Sequence, residues 1–267
     1  MIIVVVNNKG GTAKTTTCVN LAAALASLEH RVLLVDLDSQ ASASLSLGVL
    51  WRDLSPSVCD VLFAGTPLNR VVRASRIPGV DLVTAEMELA NSDCTLSGTP
   101  GWESLLKNAL DSVRHRYDYI LCDCPPSLSM IPVSAMVAAD AFLVPVAPEY
   151  LALEGLVSLM DVVEKLRANM GVGARLLGIV FTLVEPSWET GREVVRLVRD
   201  RYGKSVFSVE IPRNVKVSDA PAYDLSVVEY APDSPGARAY VELAKEVVER
   251  CAPCRKKRGW LRRWMGR

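Results

Sequence analysis

Along residues 1–250, short apolar runs rich in β-branched residues alternate with longer stretches of helical periodicity. The runs at 2–6, 31–35, 80–84, 118–122, 141–146, 175–181 and 206–210 predict strands. The stretches at 14–28, 102–115, 129–139, 151–168, 188–202 and 234–250 predict helices. This alternation predicts an α/β fold, a mostly parallel twisted sheet with helices on both faces. Residues 45–78 read as irregular, with short helices at best. Residues 211–233, interrupted by Pro212, Pro221 and Pro232, read as an extended functional loop. One domain is expected over 1–250, followed by a separate tail over 251–267.

Half of the 267 residues are apolar, enough for one large buried core. The formal net charge is zero, but seven Lys and Arg and no acid lie between Cys251 and Arg267. The remaining 23 Lys and Arg face 30 Asp and Glu, so an acidic body carries a basic tail. Seven cysteines, several in expected core elements, read as reduced thiols in a cytoplasmic protein. The first apolar run is five residues long, with no basic segment before it, and reads as a strand rather than a signal peptide. No uncharged apolar stretch approaches the ~20 residues of a membrane span.

The first strand leads into Lys9-Gly10-Gly11-Thr12-Ala13-Lys14-Thr15-Thr16 and then a helix. Backbone N–H groups in such a turn cradle phosphates, helped by the positive end of the helix. Gly10, Gly11, Thr12 and Ala13 are small enough for close approach. Lys14 is placed to reach the β- and γ-phosphates of ATP, and the Thr15 hydroxyl to ligate Mg²⁺. Asn8 and Ala13 stand where the strict G-x-x-x-x-G-K-[ST] pattern has glycines.

Asn7 to Thr16 resembles N-x-K-G-G-x-G-K-T-T, the deviant phosphate loop of the ParA/MinD partitioning ATPases, except at Ala13. Further matches follow in order. Asp36-Leu37-Asp38-Ser39-Gln40 resembles D-x-D-P-Q, with Ser39 for proline. Asp123-Cys124-Pro125-Pro126-Ser127 resembles D-x-P-P-S of the ParA/Soj branch. Val144 to Leu156 is similar to the strand-to-helix segment behind the dimer face, and Ile211 to Pro221 to I-P-R-N-V-R-x-S-E-A-P. The resemblance spans essentially residues 1–250. It implies a P-loop fold and an ATP-hydrolysing homodimer with nucleotide sandwiched between subunits. In it Lys9 crosses to the partner's nucleotide, charge supplied in trans to the transition state. Asp38 positions the attacking water, and Asp36 lies near the magnesium. Asp123 holds Mg²⁺, and the loop of Pro212 and Asn214 packs near the adenine. A ParB-like activating protein is the implied partner.

The family's ParA branch binds DNA without sequence preference through basic residues. The candidates are Arg213, Lys216 and the helical trio Arg192, Arg196 and Arg199, whose spacings of four and three share a face. Glu193 and Asp200 on the same helix support a plain solvated face instead. Glu189 stands where many relatives carry arginine. In the tail, a helical projection groups Trp260, Leu261, Trp264 and Met265 on one side, with Arg262, Arg263 and Arg267 on the other. Too short to span, such a segment suits an anionic membrane surface, as in MinD. A basic arm on nucleic acid is the competing reading. Cys251-Ala252-Pro253-Cys254 resembles the C-x-x-C of related iron–sulfur carriers, although there the cysteines precede the last helices; two incidental cysteines at a helix stop, or a lipidation-prone pair beside the basic tail, is the preferred reading. The leading reading is a ParA-type ATPase for DNA or cargo positioning. A MinD-like membrane ATPase is the alternative, and a cluster carrier the third.

Overall fold

The computed structural model describes residues 1–252 except Leu128. The strands are β1 (Ile2–Val5), β2 (Val32–Asp36), β3 (Arg73–Ala74), β4 (Val80–Val83), β5 (Tyr119–Asp123), β6 (Ala141–Val146), β7 (Arg175–Val184) and β8 (Val206–Pro212). The helices are α1 (Lys14–Ser27), α2 (Ser42–Ser46), α3 (Val58–Ala64), α4 (Ser92–Leu96), α5 (Leu105–Val113), α6 (Met130–Ala138), α7 (Ala152–Met170), α8 (Glu189–Tyr202), α9 (Val215–Asp219), α10 (Val227–Tyr230) and α11 (Pro235–Cys251).

The eight strands form one sheet in the order β3-β4-β2-β5-β1-β6-β7-β8. All neighbours are parallel except the β3–β4 pair at the edge. Successive side chains on a strand face opposite sides, and the core divides accordingly. Ile2, Val4, Leu33 and Val35 pack on one face against α3, α5, α6 and α7. Ile3, Val5, Val32 and Leu34 pack on the other against α1 and α11. Both faces are covered, which is why the strands read as unbroken apolar runs.

The chain moves from β1 across β5 to β2, and from β5 across β1 to β6. Strand order therefore reverses between β1 and β5, and the ligand crevice of such a sheet opens at the carboxyl ends flanking that point. The β1–α1 loop and Asp123 lie there together.

Residues 45–78 are irregular with short helical pieces, as expected, among them the capped helix α3, whose Ser57 and Asp60 form a capping box; the short antiparallel strand β3 was not expected. One expectation needs fuller correction. Residues 211–233 fold into α9, a 3₁₀ turn over Ala220–Tyr223, and α10 rather than an extended loop. Asn214 and Ser226 cap these pieces with their side chains, a local signal that outweighs the prolines around them. The expected tail, with Trp260, Leu261, Arg262, Arg263, Trp264 and Met265, lies outside the described residues beyond Ala252. Among the described residues no helix is long and apolar enough to cross a membrane.

Candidate active site

The loop after β1 is tied to its surroundings by side chains. Asn7 Nδ2 donates to the Pro145 carbonyl at 2.7 Å, and its Oδ1 accepts from Lys9 N at 3.0 Å. Thr182 on β7 donates to the Thr12 carbonyl at 3.1 Å. Gly11 has φ 74°, where glycine is unstrained. Ala13, directly before α1, has φ 57° and ψ 38°, a left-handed conformation that a Cβ makes costly.

Lys14 is 7% exposed and its Nζ donates to the Lys9 carbonyl at 3.1 Å. Burial lowers its pKa, while the Asp123 and Asp38 carboxylates oppose that shift. Lys9 behaves differently. Its ammonium reaches back to Glu149, and both side chains remain partly exposed. The lysine singled out as crossing to a partner is thus held within its own chain.

The two acidic segments meet in register. Asp36 at the end of β2 lies opposite Asp123 at the end of β5. Asp36 is satisfied: Oδ2 accepts from the Ser44 amide at 2.9 Å and the Ser44 hydroxyl at 2.8 Å, and Oδ1 from Asp38 N at 3.2 Å. Asp123 is fully buried, and neither of its oxygens has a hydrogen-bond partner. The Thr15 hydroxyl and Cys18 thiol adjoin it without completing bonding geometry. Burial, reinforced by Asp36, pushes its pKa up to about 8. A buried, unpaired carboxylate is expensive unless something positive meets it. Asp38 is partly exposed at the rim, its Oδ1 accepting from Gln40 N at 3.0 Å.

Beside the loop, Ala13, Thr16, Thr182, Pro212, Asn214 and Tyr240 line a cavity of ≈ 70 Å³. The structure therefore brings Pro212 and Asn214 to the phosphate loop, though Asn214 Oδ1 already accepts from Lys216 N at 3.0 Å.

A sequence profile described as an AAA domain matches residues 1–173. The sporulation initiation inhibitor protein Soj of Bacillus subtilis is 38% identical over 247 residues, 92% of this chain and 98% of that protein. The chain belongs to the Soj/ParA family. Another relative, the chromosome-partitioning ATPase Soj of Thermus thermophilus, is 40% identical over 93% of this chain and 95% of its own length. Among solved structures, cobyrinic acid a,c-diamide synthase of Mycobacterium smegmatis with an ATP analogue and magnesium aligns with a TM-score of 0.81 at 32% identity, covering 93% of this chain and 94% of its own. The septum site-determining protein MinD of Pyrococcus horikoshii with Mg-ADP aligns at 0.74 and 27% identity, covering 92% and 95%.

The basic candidates of this Soj/ParA chain differ in what holds them. Arg192 and Arg196 are exposed, and Arg196 lies between Glu193 and Asp200 at 3.8 and 3.7 Å. Arg199 turns onto the sheet, donating to the Phe207 carbonyl at 3.1 Å and pairing with Glu210 at 2.9 Å. It does not share the outward face expected from its spacing, because β8 offers it carbonyls and a carboxylate. Arg213 pairs with Glu185, and Lys216 lies 5.5 Å from the Tyr230 ring centre. Cys254 lies outside the described residues. Among those described, no group of three or more His, Cys, Asp or Glu is placed to hold a metal ion.

Sequence reasoning missed Asn7, Ser44 and Glu149 as organisers of the site. Asn7 was legible, since it opens the N-x-K motif. Ser44 lies eight residues after Asp36 and acts through the turn into α2, whereas Glu149 reaches Lys9 from 140 residues away; neither pairing is marked by a motif of its own.

Proposed function

We propose that this chain is an Mg²⁺- and ATP-dependent partitioning ATPase that closes into a two-subunit sandwich and positions DNA or another large cargo. The observation that carries the reading is Asp123, buried with both oxygens orphaned beside Thr15 and within the field of Lys14. That donor set fits Mg²⁺, which usually takes one or two carboxylates plus substrate phosphates rather than an all-protein cage. Asp123 and Thr15 would hold the ion, and Asp36 would stay with Ser44 and fix the β2–α2 turn. Bound there, the ion neutralises charge on the phosphates.

The loop amides of Gly10, Gly11, Thr12 and Ala13 bind the phosphates, and Lys14 reaches the outer ones. Thr16, Pro212 and Asn214 flank the nucleoside. Asp38, at the open rim, orients the attacking water. Lys9 leaves Glu149 and enters the partner's site, so catalysis is complete only in the dimer. An activating protein of ParB type would raise the rate by favouring that arrangement.

The dimer would lie in the cytoplasm and bind DNA weakly through Arg192, Arg196, Arg213 and Lys216. A MinD-like membrane reading has its own support. The last turn of α11 sits beside Met1, Asp140 and Arg175, at the end of the sheet opposite the phosphate loop. The basic tail that follows would meet anionic lipid with the nucleotide facing away. Two tails per dimer would bind by avidity. Co-sedimentation with duplex DNA and with anionic liposomes, with and without ATP, tests both surfaces, using the full chain and a truncation after Arg250. ATP-dependent pelleting supports positioning, and pelleting with neither surface overturns it.

A further inference from the structure

Side chains alternate between the two faces of a strand, so the face of Asp123 follows from its neighbours. Tyr119 and Leu121 on β5 pack on the α1 side of the sheet, whereas Ile120, Cys122 and Cys124 pack on the other. Asp123, two residues after Leu121, therefore points its carboxylate at α1. Cys18 belongs to the same layer: it lies on α1, is fully buried and packs on that face of the sheet. Thr15 stands three residues before it, one turn back on the same side of the helix. The Thr15 hydroxyl and the Cys18 thiol are the two groups that α1 turns toward the carboxylate, and both adjoin it.

The other polar groups nearby are engaged or face away. Asp36 lies opposite in register, but a carboxylate only accepts, and its oxygens are taken by Ser44 and the Asp38 amide. The Lys14 ammonium is turned to the Lys9 carbonyl at 3.1 Å. A carboxylate that turns one oxygen to a cation presents the other to whatever donor lies behind it, and such outer partners orient the ligand. With Thr15 on the ion's side, the Cys18 thiol is the donor left for the second oxygen.

We infer that Cys18 is a positioning residue for Asp123, its thiol holding the carboxylate oxygen that does not face Mg²⁺. The inference rests on the reading of Asp123 and Thr15 as the magnesium pair. It gives Cys18 a task beyond the ordinary one of a buried cysteine, which is to fill space as a small apolar group. A thiol is a weak donor, so the effect belongs at the low end of what outer partners of metal ligands contribute.

The test compares wild type, Cys18→Ser and Cys18→Ala in the full chain, with ATP binding measured as Mg²⁺ is titrated and again in EDTA. Cys18→Ala removes the donor and should raise the Mg²⁺ concentration for half-maximal effect by about tenfold. Cys18→Ser keeps a donor in the same place and should stay within about twofold of wild type. ATP binding in EDTA should be alike for all three, because the thiol acts on the metal carboxylate and not on the nucleotide. The residual Mg²⁺ dependence of Asp123→Asn should not change when Cys18→Ala is added, since the two groups act as one unit. If the serine and alanine variants behave alike, lowering the melting temperature or the Mg²⁺ response together, Cys18 serves packing and the inference fails. If the alanine loss persists in the Asp123→Asn background, it runs through another group and the inference fails. If wild type binds ATP equally with Mg²⁺ and in EDTA, the magnesium reading of Asp123 itself fails.

Discussion

Replacing Asp123 by asparagine should make the ligand-free protein more stable while removing its response to Mg²⁺ and ATP. The carboxylate has no exposed surface and no hydrogen-bond partner, and it faces Asp36 in register on the neighbouring strand. Leaving one buried polar group unsatisfied costs about 1–3 kcal/mol, and more when it is charged. Asparagine keeps the shape but is itself an unpaired polar group, so it removes only the cost tied to the charge; the raised pKa makes that gain about 1–4 kcal/mol near neutral pH. In a chain of this size each kcal/mol moves the melting temperature by ~2–4 °C. The pH dependence has a definite sign. The folded pKa is raised from 3.8 to about 8, so between those values the folded state holds a proton that the unfolded state has lost. Wild-type stability contributed by this group therefore falls as pH rises through that window, and the penalty is fully present above about 8. Thermal unfolding in EDTA from pH 5.5 to 8.5 should show the variant's advantage widening with pH. Adding Mg²⁺ and ATP should then raise the wild-type melting temperature far more than the variant's. A ligand-free variant no more stable than wild type at high pH would refute this account of Asp123.

Three further substitutions probe other parts of the fold. Ala13→Gly relieves a left-handed alanine worth ~1–2 kcal/mol of strain, partly offset by glycine's freedom when unfolded, so melting should rise by a few degrees and not fall. Arg199→Ala should cost about 1–2 kcal/mol in denaturant unfolding, because its bonds to β8 are lost, whereas Arg196→Ala on the open face should stay within ~0.5 kcal/mol. Arg250→Ala should destabilise by about 2–3 kcal/mol, since its guanidinium donates to the Leu177 and Val206 carbonyls and lies 3.9 Å from the Phe207 ring centre. An unchanged midpoint would show that Arg250 does not tie the end of α11 to the sheet.

Most of the architecture was legible in the sequence because it rests on periodicity. Buried parallel strands such as Ile2–Val5 and Val32–Asp36 leave unbroken apolar runs, and helices such as α8 leave a stripe between charged positions. The phosphate loop and both acidic strand ends were legible because each is a local motif. What escaped depends on tertiary placement. Asn214 and Ser226 fold a proline-marked segment into short helices by capping. The Arg199 spacing matched a solvated face, yet strand β8 draws that side chain inward. The partnering of Asp36 by Ser44 depends on the fold of the β2–α2 turn, and the partnering of Lys9 by Glu149 and the orphaned state of Asp123 exist only once distant segments meet.

The central claim, that Lys9 completes the active site of a second subunit, is tested most directly by mixing two inactive variants. Lys9→Ala keeps its own Asp38 but supplies no lysine, and Asp38→Ala supplies the lysine but lacks its own water-positioning carboxylate. If Lys9 acts across the interface, each mixed dimer regains one complete site. ATPase activity of an equimolar mixture should then rise from background to roughly a quarter of wild type, from random pairing of a two-fold dimer. A mixture no more active than its separate components would contradict the account, because Lys9 would then act only within its own chain.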